Sequence, residues 1–153
     1  SKDEICELMD KLMLQTLDLI EQEVKCKINI ETLTNDGCLN MAQTRYSRGQ
    51  HSVSTTQLPS EDYKEFNALK SINESEDDEQ NIKLELNKHA VDKAEGYDDP
   101  IKWFGVLVPQ SLQNARNTFE KALEYVVEAT NVQIALQNSY NNFIKLNKIK
   151  DEL

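Results

Sequence analysis

The side chains that could carry out covalent or metal chemistry are few in this sequence, and their spacing matches no catalytic motif. The two histidines, His51 and His89, have no nucleophile or metal-ligand pattern around them. The three cysteines, Cys6, Cys26 and Cys38, are odd in number and form no Cys-x-x-Cys pair. The four glycines form neither a phosphate-binding loop nor a dinucleotide-binding fingerprint. We therefore predict a protein that is not an enzyme, without catalytic, cofactor-binding or metal-binding residues.

The charge of the chain argues against nucleic-acid binding and predicts a disordered segment. The 153 residues include 27 acidic and 17 basic ones, for a formal net charge of −10, whereas nucleic-acid binders present basic surfaces to phosphates. Asn73–Asn81 contains no apolar residue, so it cannot bury enough surface to offset its conformational entropy. Its acidic run, Glu74–Glu79, lacks the spacing of a calcium-binding loop. Ile82–Leu86 alternates like a strand, but no partner strand is visible.

Two long helices are predicted on either side of this acidic connector. Residues 3 to about 47 carry apolar residues at helical spacing, and we expect the helix to continue through Gly37. Residues 110 to about 150 form heptads typical of a coiled coil. The apolar set of the first helix is Met9, Met13, Leu17, Ile20, Val24 and Ile28. In the second helix the a positions are Leu112, Phe119, Val126, Gln133 and Tyr140, and the d positions are Ala115, Ala122, Ala129, Leu136 and Phe143.

These elements predict an all-α fold, an antiparallel two-helix coiled-coil hairpin with a short apolar plug and a long disordered connector. Residues 1–48 would form the first helix, 49–98 the acidic flexible connector, and 99–153 the plug and the second helix. Leu123, Val127 and Ile134 lie beside the predicted core and would remain partly in water, so another part of the chain or a partner must cover them. The predicted core includes Leu12, Ile20, Phe119, Val126, Leu136 and Phe143.

The segment Asp99–Leu112 is the least polar stretch of an otherwise hydrophilic chain. Asp99 and Pro100 are typical of the start of a short helical turn, and Gly105 is typical of its end. Pro109 suits the first position of the second long helix. Two interpretations stay open: the segment is a plug over one end of the hairpin, or it is a docking surface for a partner. The apolar side chains between these markers include Trp103, Phe104, Val106 and Leu107.

Two stretches of the sequence resemble one known family. The run Trp103–Leu112, WFGVLVPQSL, is similar to a signature of the coiled-coil-domain-containing assembly factors of the vacuolar proton-translocating ATPase. The run Met41–Gly49, with Arg45 and Tyr46 in its second half, is similar to the segment that ends the first helix in that family. The resemblance covers roughly residues 5–53 and 98–150, and the acidic connector shows none.

This resemblance implies a non-enzymatic chaperone that assists assembly of the membrane sector of the vacuolar ATPase. It implies a peripheral protein on the cytosolic face of the endoplasmic reticulum, or elsewhere in the early secretory pathway. The implied partners are a two-span membrane protein of the endoplasmic reticulum and, as a further candidate, a membrane-sector subunit of the pump. No cofactor, nucleic acid or direct membrane insertion is expected. The residues expected to bind a partner or to plug the fold are Trp103, Phe104, Val106, Leu107, Pro109, Arg45, Tyr46, Leu123, Val127 and Ile134.

A different function class also fits the heptads. A homo-oligomeric coiled-coil scaffold or tether would self-associate through the same a and d positions. Two further patterns are interpreted as coincidences, because the N-terminal residues carry no apolar signal-peptide core. They are the terminal Lys150–Leu153, which spells a lumenal retention tetrapeptide, and Asn73–Ser75, which matches a glycosylation sequon.

Overall fold

Two long helices dominate the structure, a computed structural model that describes residues 1–77 and 81–152. Helix α1 spans Lys2–Arg48 and helix α2 spans Gln110–Glu152. Within the described ranges, no helix is long and apolar enough to cross a lipid bilayer. Between α1 and α2 the chain forms the 3₁₀ helices Gln50–Ser52 and Thr55–Gln57, strands β1 (Lys70–Glu76) and β2 (Ile82–Lys88), and the 3₁₀ helix Pro100–Phe104.

Two of the sequence predictions fall partly outside the described residues. The acidic run Glu74–Glu79 extends into residues 78–80, and the tetrapeptide Lys150–Leu153 ends on Leu153. Residues 78–80 and Leu153 lie outside the part of the chain that the structure describes. The predictions for these residues therefore stay predictions.

Helices α1 and α2 pack side by side in antiparallel order. The hydroxyl oxygens of Thr16 and Ser139 lie 2.6 Å apart, and those of Thr44 and Ser111 lie 2.6 Å apart nearer the other end. Residue numbers therefore rise along α1 as they fall along α2. We call the line of residues along which the two helices face each other the seam.

The two hydroxyl pairs satisfy each other inside the seam. Thr16 and Thr44 each donate their single hydroxyl proton to the carbonyl four residues earlier, at 2.8 and 2.9 Å. Ser139 and Ser111 must therefore donate to the threonines. Thr44 is fully buried and Ser139 is 6% exposed, so the pairing avoids the cost of an unsatisfied buried hydroxyl.

Gly37 lets the two helices approach closely where Phe119 crosses the seam. Helix α1 is continuous through this position, which confirms that prediction. A Cβ atom added at Gly37 would lie 2.6 Å from Cζ of Phe119, well inside the contact distance of two carbon atoms. The aromatic ring therefore occupies the space that a side chain would need.

The predicted all-α fold is wrong, because the connector that was expected to be disordered contains a two-stranded sheet. Strands β1 and β2 pair antiparallel, with Lys70 opposite Lys88 and Glu76 opposite Ile82. The three short 3₁₀ helices also make the chain more than a simple helical hairpin. The prediction failed because it weighed only the low apolar content of the connector, whereas the sheet is fixed to α2 largely by polar contacts.

One asparagine on α2 holds the second strand. The side-chain oxygen of Asn131 accepts from the Leu84 N–H at 2.8 Å, and its amide nitrogen donates to the Leu84 carbonyl at 2.9 Å. Further along, the Asn138 amide nitrogen donates to the side-chain oxygen of Asn81 at 2.8 Å. The Asn131 side chain therefore satisfies backbone groups of β2 on the edge that β1 does not pair, and Asn138 holds the residue just before the strand.

The face of α1 that meets α2 is not its most apolar face. The residues predicted for the core at Met13, Leu17, Ile20, Val24 and Ile28 are 43–57% exposed. The buried or half-buried positions recur at spacings of three and four, and many are polar or small. They are Met9, Leu12, Thr16, Leu19, Glu23, Cys26, Ile30, Leu33, Gly37, Asn40 and Thr44.

On α2 the predicted register holds at its alanines and fails in its second half. Ala115, Ala122 and Ala129 are buried as expected for d positions. Val126 and Tyr140, predicted at a positions, are 41% and 59% exposed. The buried residues of the second half include Val132 and Ser139, one residue before the predicted Gln133 and Tyr140. A hydrophobic heptad search cannot find such a seam, because Ser139 is buried through its hydroxyl pair.

We predict that Gly37→Ala destabilises the fold, although alanine is the better helix former. Clash with the Phe119 ring should cost about 1–3 kcal/mol, against a gain of about 1 kcal/mol in helix propensity. Urea unfolding followed by circular dichroism would measure the balance. Asp36→Ala, at the exposed neighbouring position, is the control and should stay within about 0.5 kcal/mol of wild type. A Gly37→Ala variant more stable than wild type would contradict the close contact.

We predict that Asn131→Ala releases the sheet from α2. Loss of the two bonds to Leu84 should cost about 1–3 kcal/mol and speed amide exchange in residues 82–88, with little change along the seam. Hydrogen exchange read by mass spectrometry would locate the effect. Asn117→Ala, at an exposed position of the same helix, should leave the exchange of β2 unchanged. Equal exchange in both variants would show that Asn131 does not anchor the strand.

Candidate protein-docking site

A small apolar core closes the end of the helix pair where α1 ends and α2 begins, which we call the apex. Asp99 ties the 3₁₀ helix to α2: one carboxylate oxygen accepts from the Ile101 N–H at 3.1 Å, and the other accepts from Nη1 of Arg116 at 2.9 Å. The buried residues of this core are Val53, Leu112 and Ala115, and Met41, Ile101, Phe104, Val108 and Phe119 pack against them.

Trp103 belongs to a separate aromatic cluster beside this core. Its ring meets Phe66 edge-on with centroids 5.2 Å apart, and it meets Tyr63 at 6.3 Å. Tyr63 and Phe66 also meet edge-on, at 6.1 Å. Neither Tyr63 nor Phe66 was predicted from the sequence, because both lie in the connector that was expected to be disordered. The cluster fixes residues 63–66 against the segment that leads into α2.

Three large side chains at the apex face solvent almost completely. Val106 and Leu107 are 99% and 91% exposed, and they follow Gly105, whose φ of 132° requires glycine. Tyr46, near the end of α1, is 93% exposed. The contact between Thr44 and Ser111 places these residues at the same end of the helix pair. We call Tyr46, Val106 and Leu107 the apex surface.

The structure places one part of the segment Asp99–Leu112 as a plug and leaves another part in solvent. Phe104 packs into the apex core, and half-buried Trp103 packs in the aromatic cluster, so this part is a plug. Val106 and Leu107 remain in solvent, so the docking interpretation of these two residues stays a prediction.

Two other predicted site residues take part in helix ends. The Pro109 carbonyl accepts from the Leu112 N–H at 3.1 Å in the first turn of α2. The Arg45 carbonyl accepts from the Gly49 N–H at 2.9 Å where α1 ends. Both residues therefore support the apex through backbone hydrogen bonds, and Arg45 is half-buried.

The predicted row on α2 does not form one exposed surface. Val127 is 9% exposed, Ile134 is half-buried, and Leu123 is 42% exposed. Strand β2 lies along this side of α2, where Lys88 forms an ion pair with Glu124 and Ile82 shares a groove with Ile134. Of the two predicted kinds of cover, another part of the chain or a partner, the first therefore applies to Val127 and Ile134. Leu123 remains exposed.

The ion pair between β2 and α2 responds to pH in a defined direction. The hydrogen bond from Lys88, followed by its positive charge, lowers the pKa of Glu124 below its ordinary value. A lowered pKa means that folding favours the ionised carboxylate. The contribution of this pair to folding stability is therefore fully present above the ordinary glutamate pKa. It is lost as pH falls through the lowered pKa that Glu124 has in the folded chain.

The residues that could do chemistry are placed apart from one another. Burial, followed by the charge of Glu128, raises the pKa of the Cys26 thiol, so it stays protonated and is a poor nucleophile at neutral pH. His89 stacks on Tyr97 with ring centroids 4.8 Å apart. Within residues 1–77 and 81–152, no three metal-ligating side chains come together. The described geometry at the apex suits noncovalent docking.

We predict that the single tryptophan reports the aromatic cluster. Phe66→Ala should open one side of Trp103 to water and shift its fluorescence emission to longer wavelength, with a loss of about 1–3 kcal/mol in unfolding free energy. Tyr140→Ala, at an exposed aromatic distant in sequence, should leave the emission unchanged. An unshifted spectrum in Phe66→Ala would mean that Trp103 does not pack on Phe66.

Comparison with known proteins identifies relatives of this chain. The sequence model of the Vma22/CCDC115 family matches residues 49–122, which include the sheet, the aromatic cluster, Val106 and Leu107. The chain is 28% identical to the human vacuolar ATPase assembly protein VMA22 and 25% identical to the Danio rerio protein of that name, in both cases over 82% of this chain and 81% of the relative. It is 26% identical to the mouse protein of the same name, over 96% and 93% of the two chains. These matches confirm the resemblance seen in the sequence: the chain is similar to the Vma22/CCDC115 family over residues 49–122 and to the vacuolar ATPase assembly proteins VMA22 over most of its length.

Proposed function

We propose that this chain is an assembly protein of the vacuolar ATPase that acts by docking through the apex surface and not by catalysis. The observation that carries the proposal is the near-complete exposure of Val106 and Leu107, 99% and 91%, within the segment that matches the family. Three relatives bear the name vacuolar ATPase assembly protein.

The apex surface has the physical properties of a docking site. Large side chains that remain in water on an ordered scaffold can be buried against a partner at little cost in conformational entropy. The ion pair of Asp99 with Arg116 and the apex core hold the backbone beneath the apex surface in place. A few side chains commonly carry most of the binding energy of an interface, and tyrosine, the type present at Tyr46, is enriched among them. The formal net charge of −10 favours solubility of the unbound chain.

The partner and the place of action are the finer part of the proposal. The partner is a membrane-anchored, two-span protein of the endoplasmic reticulum, and the client is the membrane sector of the pump while it is being built. The chain acts as a peripheral chaperone on the cytosolic face of that membrane. The support for these statements is the similarity of Trp103–Leu112 and Met41–Gly49 to the family signature, together with the names of the relatives.

The scaffold interpretation receives less support from the structure. A homo-oligomer built through the heptad seam needs the a and d positions of α2 to be free. Ala115, Ala122 and Ala129 are instead buried within the single chain, and Phe119 lies against Gly37 of α1.

We predict that Val106→Asp combined with Leu107→Asp abolishes assembly activity without unfolding the chain. Both side chains are exposed, so charge at these positions should leave helicity unchanged and should prevent burial against a partner. The variant would replace the wild-type chain in cells of the source organism. Acidification of the vacuolar compartment and recovery of the assembled membrane sector would be measured, with circular dichroism of the purified variant as the folding check.

Ile149→Asp provides the matched control, because Ile149 is an exposed apolar residue near the opposite end of α2, at 47% exposure. It should support normal acidification. Normal acidification in the apex variant as well would contradict docking through Val106 and Leu107. If acidification fails only when the whole chain is removed and stays normal with both variants, that result would support the assembly function and would show that docking uses other residues.

A further inference from the structure

An uncovered apolar stripe runs along α1 on the flank of the seam away from the sheet. Met13, Leu17, Ile20 and Val24 are 43%, 54%, 44% and 49% exposed, and we call them the α1 stripe. Their spacing of four, three and four residues places them on one face of the helix. A continuous set of this kind in water is unusual for a surface that has no partner.

The sheet occupies the other flank of the helix pair. Leu12, Gln15 and Leu19 of α1 line the groove beneath β2, together with Ile134 and Asn138 of α2. Counting 100° per residue from Thr16 in the seam, these three α1 positions lie on one side of the seam and the α1 stripe lies on the other. No described element of the chain can therefore cover both flanks at once.

The two ends of the α1 stripe carry opposite charges at continuing heptad positions. Asp10 lies three residues before Met13, and Lys27 lies three residues after Val24. The set from Asp10 to Lys27 thus has spacings of three, four, three, four and three, which read the same from either end. Lys27 already binds Glu23 at 2.9 Å, but an ammonium group has three protons to donate.

This symmetric spacing makes a second, antiparallel copy of α1 a matching partner for the stripe. When a second copy of α1 is laid antiparallel on the first, with Leu17 opposite Ile20 of the other copy, every apolar residue meets an apolar residue. The same register places each Asp10 opposite a Lys27, so both ends are charge-complementary. A two-fold axis makes both contacts twice, as in an isologous dimer. A parallel copy would instead set Asp10 against Asp10 and Lys27 against Lys27.

We propose that the α1 stripe is the interface of an antiparallel homodimer of this chain. The dimer buries four apolar side chains from each copy and closes with two ion pairs between Asp10 and Lys27. It leaves the seam within each chain and places the two apex surfaces at opposite ends. The formal charge of −10 on each copy opposes association, so the dimer forms where salt screens that repulsion, at an ionic strength of about 0.15 M.

Sedimentation equilibrium of the full chain at about 0.15 M salt tests the proposal. We expect a dimer at concentrations up to about 100 µM, within the range of weak specific association. Leu17→Gln combined with Ile20→Gln should raise the dimer dissociation constant on the order of 100-fold, since both residues meet at the centre of the stripe. Circular dichroism should show unchanged helicity, because both residues are half-exposed in the single chain. A wild-type chain that stays monomeric at about 100 µM overturns the proposal, and the stripe then belongs to a different partner.

A charge exchange tests the register independently of the apolar contacts. Asp10→Lys alone and Lys27→Asp alone should each raise the dissociation constant by about tenfold, because each creates two like-charge pairs per dimer. The double variant, Asp10→Lys with Lys27→Asp, should return to within about threefold of wild type. Asp36→Lys makes the same change of charge twelve residues beyond the stripe and should have little effect. Failure of the double variant to recover affinity overturns the antiparallel register.

Discussion

The narrow, half-polar seam between α1 and α2 is the constraint on which the rest of the structure depends. Gly37, the alanines of α2 and the two hydroxyl pairs bring the helices close together, but small and polar residues bury little apolar area. Such a seam fixes which helix faces meet without supplying a large hydrophobic core. The sheet on one flank and the apolar core at one end add the burial and hydrogen bonding that the seam lacks.

The same constraint explains why so many large apolar side chains remain in water. Because the seam uses Thr16, Glu23 and Thr44, the more apolar neighbours on α1 are displaced onto its flank. One flank is closed by strand β2 through Asn131 and Asn138. The opposite flank and the apex have no cover in the described chain, and these are the two surfaces proposed for association. Because the two surfaces are separate, the two proposed associations do not compete for the same residues.

The sequence was sufficient for the long helices and for the family resemblance, but not for the sheet or the seam. Helical periodicity and the markers around Asp99–Leu112 are local signals, so they can be read without tertiary contacts. The Trp103 run was informative because it is apolar in a hydrophilic chain, and the structure divides it into buried and exposed residues. Strand β1 could not be found, since Lys70–Glu76 has Ile72 as its single apolar residue. The seam was misassigned because hydrophobicity ranks Leu17 and Ile20 above Thr16 and Ser139, whose burial depends on a partner 123 residues away.

The two hydroxyl pairs have a mechanical consequence. Thr16 and Thr44 are 28 residues apart, as are Ser111 and Ser139, so the pairs lock the helices at two points about 42 Å apart along the axis. A slip of one heptad in either direction would break both hydroxyl pairs and set Thr16 against an apolar side chain, Val132 or Leu146. Any small axial shift of one helix along the other therefore breaks both pairs together. Displacement of one helix along the other is therefore opposed at both ends of the seam at the same time.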